Sequence, residues 1–243
     1  MQPTELLYLE DFSRLENTAK ILAVNDEGEK KAVILDKTVF YPQGGGQPYD
    51  NGVIKGEIGV FRVEEVRFQD GFVKHIGSFE KGELSEGAEV KCNVDPDRRR
   101  LNSRLHSAGH VVDAAVDRLE YNWTPGKGYH FPDGPYVEYI GSISENETER
   151  EEIRQKIETT CNQIIQESIE PKIQFMKKEK MSSVCRFVPE HMPDDKPGRV
   201  ILYGNFGAPC GGTHVSNLKE IGNISIPKIK TKKGNIRISY ITQ

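Results

Sequence analysis

An α+β fold is expected for this chain of 243 residues, on three observations. Short apolar or alternating runs crowd the amino-terminal part, the texture changes abruptly at Asp95-Pro96 to a helical period, and a second amphipathic helix is followed by further strand candidates.

From about Leu6 to Val94 the clearest runs are KILAV, KAVILD, VFRVEEVRF and GFVKHIG, separated by NDEGEK, GGGQPYDNG and FQDG. Short strands at such spacing, with Gly, Asn and Asp between them, indicate a small antiparallel barrel or sandwich. The segment DPDRRRLNSRLHSAGHVVDAAVDRLE then carries Leu101, Leu105, Val112, Ala115, Val116 and Leu119 close to the helical period. Asp95 suits its cap and Pro96 its first turn. A strand is expected around Tyr136 to Ile140. In SENETEREEIRQKIETTCNQIIQESIE, Ser144 opens a capping-box pattern ending at Glu147, Ile153, Ile157, Ile164 and Ile165 form the apolar stripe, and Pro171 ends the helix. KIQFM, RVILYG and NIRISYITQ are the later strand candidates. The expected division is residues 1–94 and 95–243, the second part being a helical layer on a sheet.

Composition narrows the function. Hydrophobic residues at 36% with 29% charged describe a soluble globular chain. No apolar run approaches the roughly 20 residues that span a bilayer, and MQPTELLYLEDF does not read as a secretory signal. The cytoplasm and no membrane partner are therefore expected. A net charge of −4 argues against coating nucleic acid through a global field, although a local basic patch still suits phosphate. Cys92, Cys161, Cys185 and Cys210 are too scattered for a disulfide framework.

His106 and His110 stand four apart on the expected helix, about 40° apart around its axis, and so share a face. Cys210 and His214 have the same spacing within GAPCGGTHV, where Gly211 and Gly212 permit a tight turn that brings thiolate and imidazole together. Each pair alone is unremarkable: histidines at this spacing are commonly exposed, and a cysteine is commonly a small buried hydrophobe. Two matched pairs of the rarest ligand types point to one metal ion, and thiolate with imidazoles is the set zinc prefers. His75, His130 and His191 stand apart in the sequence.

HSAGH at His106 to His110 with CGGTH at Cys210 to His214 resembles the HxxxH and CxxxH pair of the editing domains of alanyl-tRNA synthetases, their free-standing AlaX relatives and threonyl-tRNA synthetases. FYPQGGGQPYDNG, Phe40 to Gly52, resembles the glycine-rich stretch of the alanyl-type barrel, and GAPCGGTHVSNLKEIGNISIPKIKTKKGNIRISY resembles that family's later segment. The resemblance implies an amino-terminal β-barrel followed by an α/β two-layer editing domain. A start at the barrel leads us to expect the free-standing, medium-length form rather than a full synthetase.

The activity so implied is zinc-dependent ester hydrolysis that deacylates mischarged tRNA(Ala) bearing serine and, by extension, glycine. Gly44, Gly45, Gly46 and Gln47 are implied near the substrate, although a glycine-rich turn is the commoner meaning of such a run. Thr124, in a Trp-Thr pair, is implied in reading the serine hydroxyl, against the alternative of a surface threonine. For tRNA phosphates the candidates are Arg98, Arg99, Arg100 and Arg104, and Lys228, Lys230, Lys232, Lys233 and Arg237, with Lys228, Lys230 and Lys232 on one side of a strand. No side chain is assigned as general base. The competing reading is a zinc-stabilised module that binds tRNA or a synthetase without chemistry. A zinc peptidase is a weaker alternative, because the histidines enclose Ser107, Ala108 and Gly109 rather than HExxH.

Overall fold

The computed structural model describes residues 2–190, 192, 194 and 196–243. Its amino-terminal strands are β1 (Glu5–Leu6), β2 (Glu16–Glu27), β3 (Lys30–Leu35), β4 (Lys37–Thr38), β5 (Gly52–Lys55), β6 (Val60–Gln69), β7 (Phe72–Lys81) and β8 (Glu89–Val94). Six of them close an antiparallel barrel in the order β2-β3-β7-β6-β5-β8, and β1 pairs in parallel with β4. Of the two architectures left open by the residues, the barrel is realised. Alternation places the core: in β2, Asn17, Ala19 and Ile21 are buried while Glu16, Thr18 and Lys20 face out. Ala19 and Ile21 pack with Val33, Leu35, Ile54, Phe61, Val63 and Val90.

Turn chemistry sets the hairpins. Asp70 and Gly71 join β6 to β7 with φ of 51° and 85°, the paired positive φ values of a type I′ turn, in which Asp-Gly is favoured. The run Gly44 to Gln47 does the same. Gly44 and Gln47 exchange backbone hydrogen bonds of 3.2 and 2.8 Å across Gly45 and Gly46, whose φ values are 53° and 77°. Only glycine occupies two such positions in a row without strain.

The second part contains α1 (Pro96–Arg118), β9 (Thr124–Tyr129), β10 (Tyr136–Ile140), α2 (Glu147–Gln166), β11 (Lys172–Met176), α3 (Lys178–Met181), β12 (Gly198–Tyr203), β13 (Phe206–Pro209), β14 (Ile224–Lys232) and β15 (Asn235–Thr242). Two antiparallel sheets result, β14-β15-β10-β9 and β11-β12-β13. Leu105, Ala108, Val112 and Ala115 of α1, Ile157, Ile164 and Ile165 of α2, and Val137, Tyr139, Ile236 and Ile238 of the larger sheet share one core. The α+β class therefore holds.

Asp95 caps α1 as expected, its Oδ1 accepting from the amides of Asp97 and Arg98 at 3.0 and 3.1 Å. Three local expectations need correction. Leu101 is 37% exposed and lies outside the buried stripe of α1. The cap of α2 is Asn146, not Ser144: Asn146 Oδ1 accepts from the amides of Thr148 and Glu149, while Ser144 Oγ accepts only from the amide of Asn146. The helix also ends at Gln166, before Pro171, where Ser168 turns left-handed with φ of 57°.

Contacts divide the chain into Met1–Leu101 and Asn102–Gln243, inside α1 rather than at the expected 94/95. The reason lies at Arg99. Its guanidinium is 3% exposed and donates to both carboxylate oxygens of Asp50, to the carbonyls of Phe12 (2.9 Å) and Val39 (2.6 Å), and to Arg14 O. Asp50 Oδ2 also accepts from the amide of Tyr41 at 2.7 Å. The first turn of α1 is thereby bound into the barrel and its glycine-rich segment. Removing one member of such a pair leaves the other buried without its counter-charge, which costs about 3–5 kcal/mol. Arg99→Met is expected to destabilise the protein by about that amount in urea unfolding followed by circular dichroism; a loss under about 1 kcal/mol would place it with surface ion pairs.

Candidate metal centre

The residues 102–110 of α1 show a second stripe beside the apolar one. Ser103, His106, Ser107 and His110 recur at intervals of three, one and three residues and so line a single face. On a solvent-facing helix these would be wet; here Ser103, His106 and Ser107 are buried. What they meet is the loop after β13. Ser103 Oγ lies 2.8 Å from Thr213 Oγ1, Ser107 Oγ accepts from the Val215 amide at 3.1 Å, and Ser107 Oγ lies 3.3 Å from His214 Nδ1. From β12, Arg199 donates to the carbonyls of Cys210 (2.7 Å) and Gly212 (2.9 Å), which folds the two glycines around its guanidinium.

This arrangement brings His106, His110, Cys210 and His214 together, one ligand atom of each lying within 4.8 Å of all the others. Cys210 Sγ is 3.4 Å from both His106 Nε2 and His214 Nε2. Tetrahedral geometry with Zn–S near 2.3 Å and Zn–N near 2.0–2.1 Å requires ligand separations of about 3.5 Å. Both ring nitrogens of His110 are buried and lack a hydrogen-bond partner, as suits a side chain that awaits an ion. Three imidazoles and a thiolate form a borderline-soft donor set that fits zinc.

Groups behind the ligands orient them. His214 Nδ1 is 2.9 Å from Tyr203 Oη. His110 Nδ1 is 3.4 Å from Asp113 Oδ2, a charge contact rather than an aligned hydrogen bond, and Asp113 also accepts from Tyr139 Oη at 2.6 Å. A carboxylate behind a ligating imidazole raises its basicity and fixes its ring. Burial, reinforced by the other imidazoles, holds His106 and His214 well below the ordinary histidine range. Burial also opposes charge on His110, but the Cys210 sulfur and Asp113 outweigh it and raise His110 to about 10. For Cys210, burial works against the thiolate; His110, the Gly212 amide at 3.3 Å and Arg199 together bring the thiol below its usual value. Without metal these shifts favour charge on Cys210 and His110 as a thiolate–imidazolium pair and oppose it on His106 and His214.

His130 was expected to stand apart, and it does not. Its ring stacks on His106 with centroids 4.4 Å apart and planes 18° apart. Spacing along the chain gave no signal, because β9 brings His130 to α1 from a different element. The signal that existed is glycine: a Cβ on Gly109 or Gly128 would come within 2.4 or 2.5 Å of the His130 ring. His75 does stand apart, buried in the barrel with Nδ1 on Val33 O and Nε2 on Thr38 Oγ1, its pKa lowered to about 4 by burial. His191 lies outside the described residues. Asp113, Tyr203 and Arg199 were also missed; Asp113 alone had a local signal, three residues after His110.

The other expected site residues are placed as follows. Gly44, Gly45, Gly46 and Gln47 form the tight turn of the first unit, with Gln47 buried. Thr124 is exposed at the start of β9, paired with Ile140, which is itself 61% exposed. Alternation along β10 sets Ile140 on the face opposite Val137 and Tyr139, which pack towards α1; Thr124 is therefore not brought to the cluster. Arg99 needs correction as a phosphate contact, since it is buried against Asp50. Arg98 is half-buried, donates to Tyr49 O at 2.8 Å and lies over the Tyr49 ring; Arg100 is exposed and Arg104 half-buried. Lys228, Lys230 and Lys232 pair with Ser239, Arg237 and Asn235 of β15 and share one face, Lys228, Lys232 and Lys233 being exposed and Lys230 half-buried. Arg237 is bound to Glu138 and lies over the Tyr136 ring, 3.7 Å from its centroid.

Comparison with known proteins gives the cluster a context. Residues 5–98 match the family of tRNA synthetases class II (A), and residues 199–239 match the threonyl and alanyl tRNA synthetase second additional domain. The chain is 32% identical over 97% of its length to the alanyl-tRNA editing protein AlaX-L of Pyrococcus horikoshii, covering 57% of that protein. The chain is thus similar over nearly its whole length to an alanyl-tRNA editing protein. It is also 33% identical over 91% of its length to the alanine–tRNA ligase of Leptospira biflexa and 32% identical over 99% to that of Sulfurisphaera tokodaii, covering 24% and 26% of those proteins. It thus spans a little over half of the editing relative and a far smaller share of the ligases. No helix among the described residues is long and apolar enough to cross a membrane.

The charge state of the cluster makes metal uptake pH-dependent. An ion must displace the proton on His110, which is favoured up to about pH 10, whereas His110, the Gly212 amide and Arg199 already favour the Cys210 thiolate. Apparent zinc affinity is expected to rise about tenfold per pH unit from neutrality to about pH 9, with about one proton released per ion. Calorimetry in buffers of different ionisation enthalpy measures this. Asp113→Asn, which lowers His110, should flatten the profile; a flat profile for the unaltered protein would rule out the thiolate–imidazolium pair.

Proposed function

We propose that this chain deacylates tRNA(Ala) wrongly charged with serine, and also with glycine, using one zinc ion held by His106, His110, Cys210 and His214. The carrying observation is the convergence of these four ligand atoms within 4.8 Å in a chain related over nearly its whole length to an alanyl-tRNA editing protein. Action on tRNA in the cytoplasm belongs to the same proposal.

A synthetic pocket that admits alanine cannot exclude glycine by size, and an apolar site rejects an added hydroxyl only about a hundredfold. A separate hydrolytic site corrects the remainder. Zinc, when bound, supplies Lewis-acid stabilisation of the charge that develops on the ester carbonyl. The residues of the chain prepare that position. Arg199 shapes the Cys210–Gly212 backbone, Asp113 steadies His110, and Tyr203 with Ser107 steadies His214. His106, His110, Cys210 and His214 would hold the ion, which would supply that stabilisation when bound.

The glycine-rich turn Gly44 to Gln47 enters the proposal through its resemblance alone, and Thr124 is omitted from the pocket because it faces away from the α1 side of its sheet. The ridge of Lys228, Lys230 and Lys232 supports phosphate contact, with Arg100 and Lys233 as exposed companions. In the alternative, a binding module without chemistry, the same cluster would serve stability alone.

The deciding assay is deacylation of Ser-tRNA(Ala), Gly-tRNA(Ala) and Ala-tRNA(Ala) by zinc-loaded protein. Serine release with Ala-tRNA(Ala) spared, lost by at least about a hundredfold in Cys210→Ala, is expected; tRNA binding with no release from any substrate would establish the binding module. Replacing Lys228, Lys230 and Lys232 together by Ala should weaken tRNA binding for all three substrates alike and reduce the slope of log affinity against log salt by about two to three.

A further inference from the structure

His130 lies outside the ligand set and outside every motif discussed above, yet it is buried against the cluster. Its ring stacks on His106, and His106 is in turn stacked with His110, with centroids 5.1 Å apart and planes 19° apart. His106 is thus the middle ring of three nearly parallel imidazoles. His130 Nδ1 lies 2.6 Å from Tyr240 Oη, and Tyr240 Oη donates to the carbonyl of Leu105 at 3.0 Å.

These bonds determine a tautomer. A carbonyl only accepts, so the tyrosine proton goes to Leu105 O and the tyrosine oxygen accepts from His130 Nδ1–H. The His130 ring is therefore anchored, through Tyr240, to the residue immediately before His106. Two glycines form its slot. A Cβ at Gly109 would stand 2.4 Å from His130 Cε1, and one at Gly128 would stand 2.5 Å from His130 Nε2. The glycine inside HSAGH thus makes room for a histidine on β9's continuation.

We propose that His130 is a positioning residue that sets the plane of the His106 ring and so pre-orients it for the metal; this rests on the zinc reading above. An imidazole ligates only along its lone pair, in the plane of the ring. A ring free to turn about χ2, a broad torsion, must lose that freedom on binding. Stacked on the anchored His130 ring, with planes 18° apart, His106 has lost much of it beforehand. Outer partners of metal-ligating histidines are worth about 10–100-fold in metal affinity.

The test is zinc affinity by chelator competition, together with the visible spectrum of the cobalt(II)-substituted protein, for the unaltered chain, His130→Ala, His130→Phe and Gly109→Ala. His130→Ala removes the clamp and should weaken zinc by about 10–100-fold and change the cobalt spectrum. His130→Phe keeps a flat ring in the slot and should restore affinity to within a few-fold. Gly109→Ala leaves all ligands in place but drives a methyl group into the His130 ring, and should weaken binding as His130→Ala does. Circular dichroism and thermal unfolding of each metal-free variant establish folding; if His130→Ala fails to fold, His130→Phe against Gly109→Ala decides. Unchanged zinc affinity and cobalt spectra in the folded variants would overturn the positioning role while leaving the zinc reading intact, as would equal losses in His130→Ala and His130→Phe. An unaltered chain that takes up no zinc would instead overturn the zinc reading, and this inference with it.

Discussion

The second unit depends on the burial of a polar stripe on α1. A helix normally turns one apolar face to the core and leaves the rest to water. Here Leu105, Ala108, Val112 and Ala115 pack against sheet and helix, while Ser103, His106 and Ser107 are buried beside them. Burying unpaired polar groups is costly, and the loop carrying Cys210, Thr213 and His214 meets that requirement: hydroxyl to hydroxyl at Ser103 and Thr213, hydroxyl to amide at Ser107 and Val215, and sulfur beside imidazole at the cluster. The ligands converge because the residues between and behind them leave the loop no other well-bonded course.

Electrostatics follow from the same burial. Three imidazoles packed within a few ångströms cannot all carry charge, and only His110 is stabilised as a cation, by the sulfur on one side and Asp113 on the other. Removing the ion would therefore not leave an inert cavity. Charge on His110 and Cys210 is favoured there over charge on the other rings, with Arg199 also favouring the thiolate. A metal held there would replace the proton on His110 and satisfy the remaining lone pairs at once, which would couple occupancy of the site to the integrity of the surrounding loop.

The barrel unit rests on a different solution to a similar problem. Arg99 is one of three consecutive arginines, and by composition it looks like part of a phosphate-seeking patch. Asp50, two residues before β5, gives it a buried counter-charge, and three backbone carbonyls take up further donors. Arg98 and Arg100, its neighbours, keep part or all of their surface. Along a helix, one residue's rotation of about 100° separates a core ion pair from a solvent-facing cation.

Local rules made much of this legible in the chain itself. Strand alternation and Asp-Gly or glycine-rich turns marked the hairpins, Asp95-Pro96 marked the start of α1, and the paired four-residue spacings in HSAGH and CGGTH marked the ligands, because each depends on residues close enough in sequence to act together. Resemblance then extended the ligand pattern to a family. The tertiary structure alone decided which neighbours of the ligands matter. His130 reaches His106 from another element, Tyr203 and Arg199 reach the CGGTH loop from β12, and Asp50 reaches Arg99 from the turn region of the barrel. It also separated Arg99 and Thr124 from the roles their surroundings in sequence suggested, since burial and the face of a sheet are fixed by packing between distant segments, and no local periodicity encodes that.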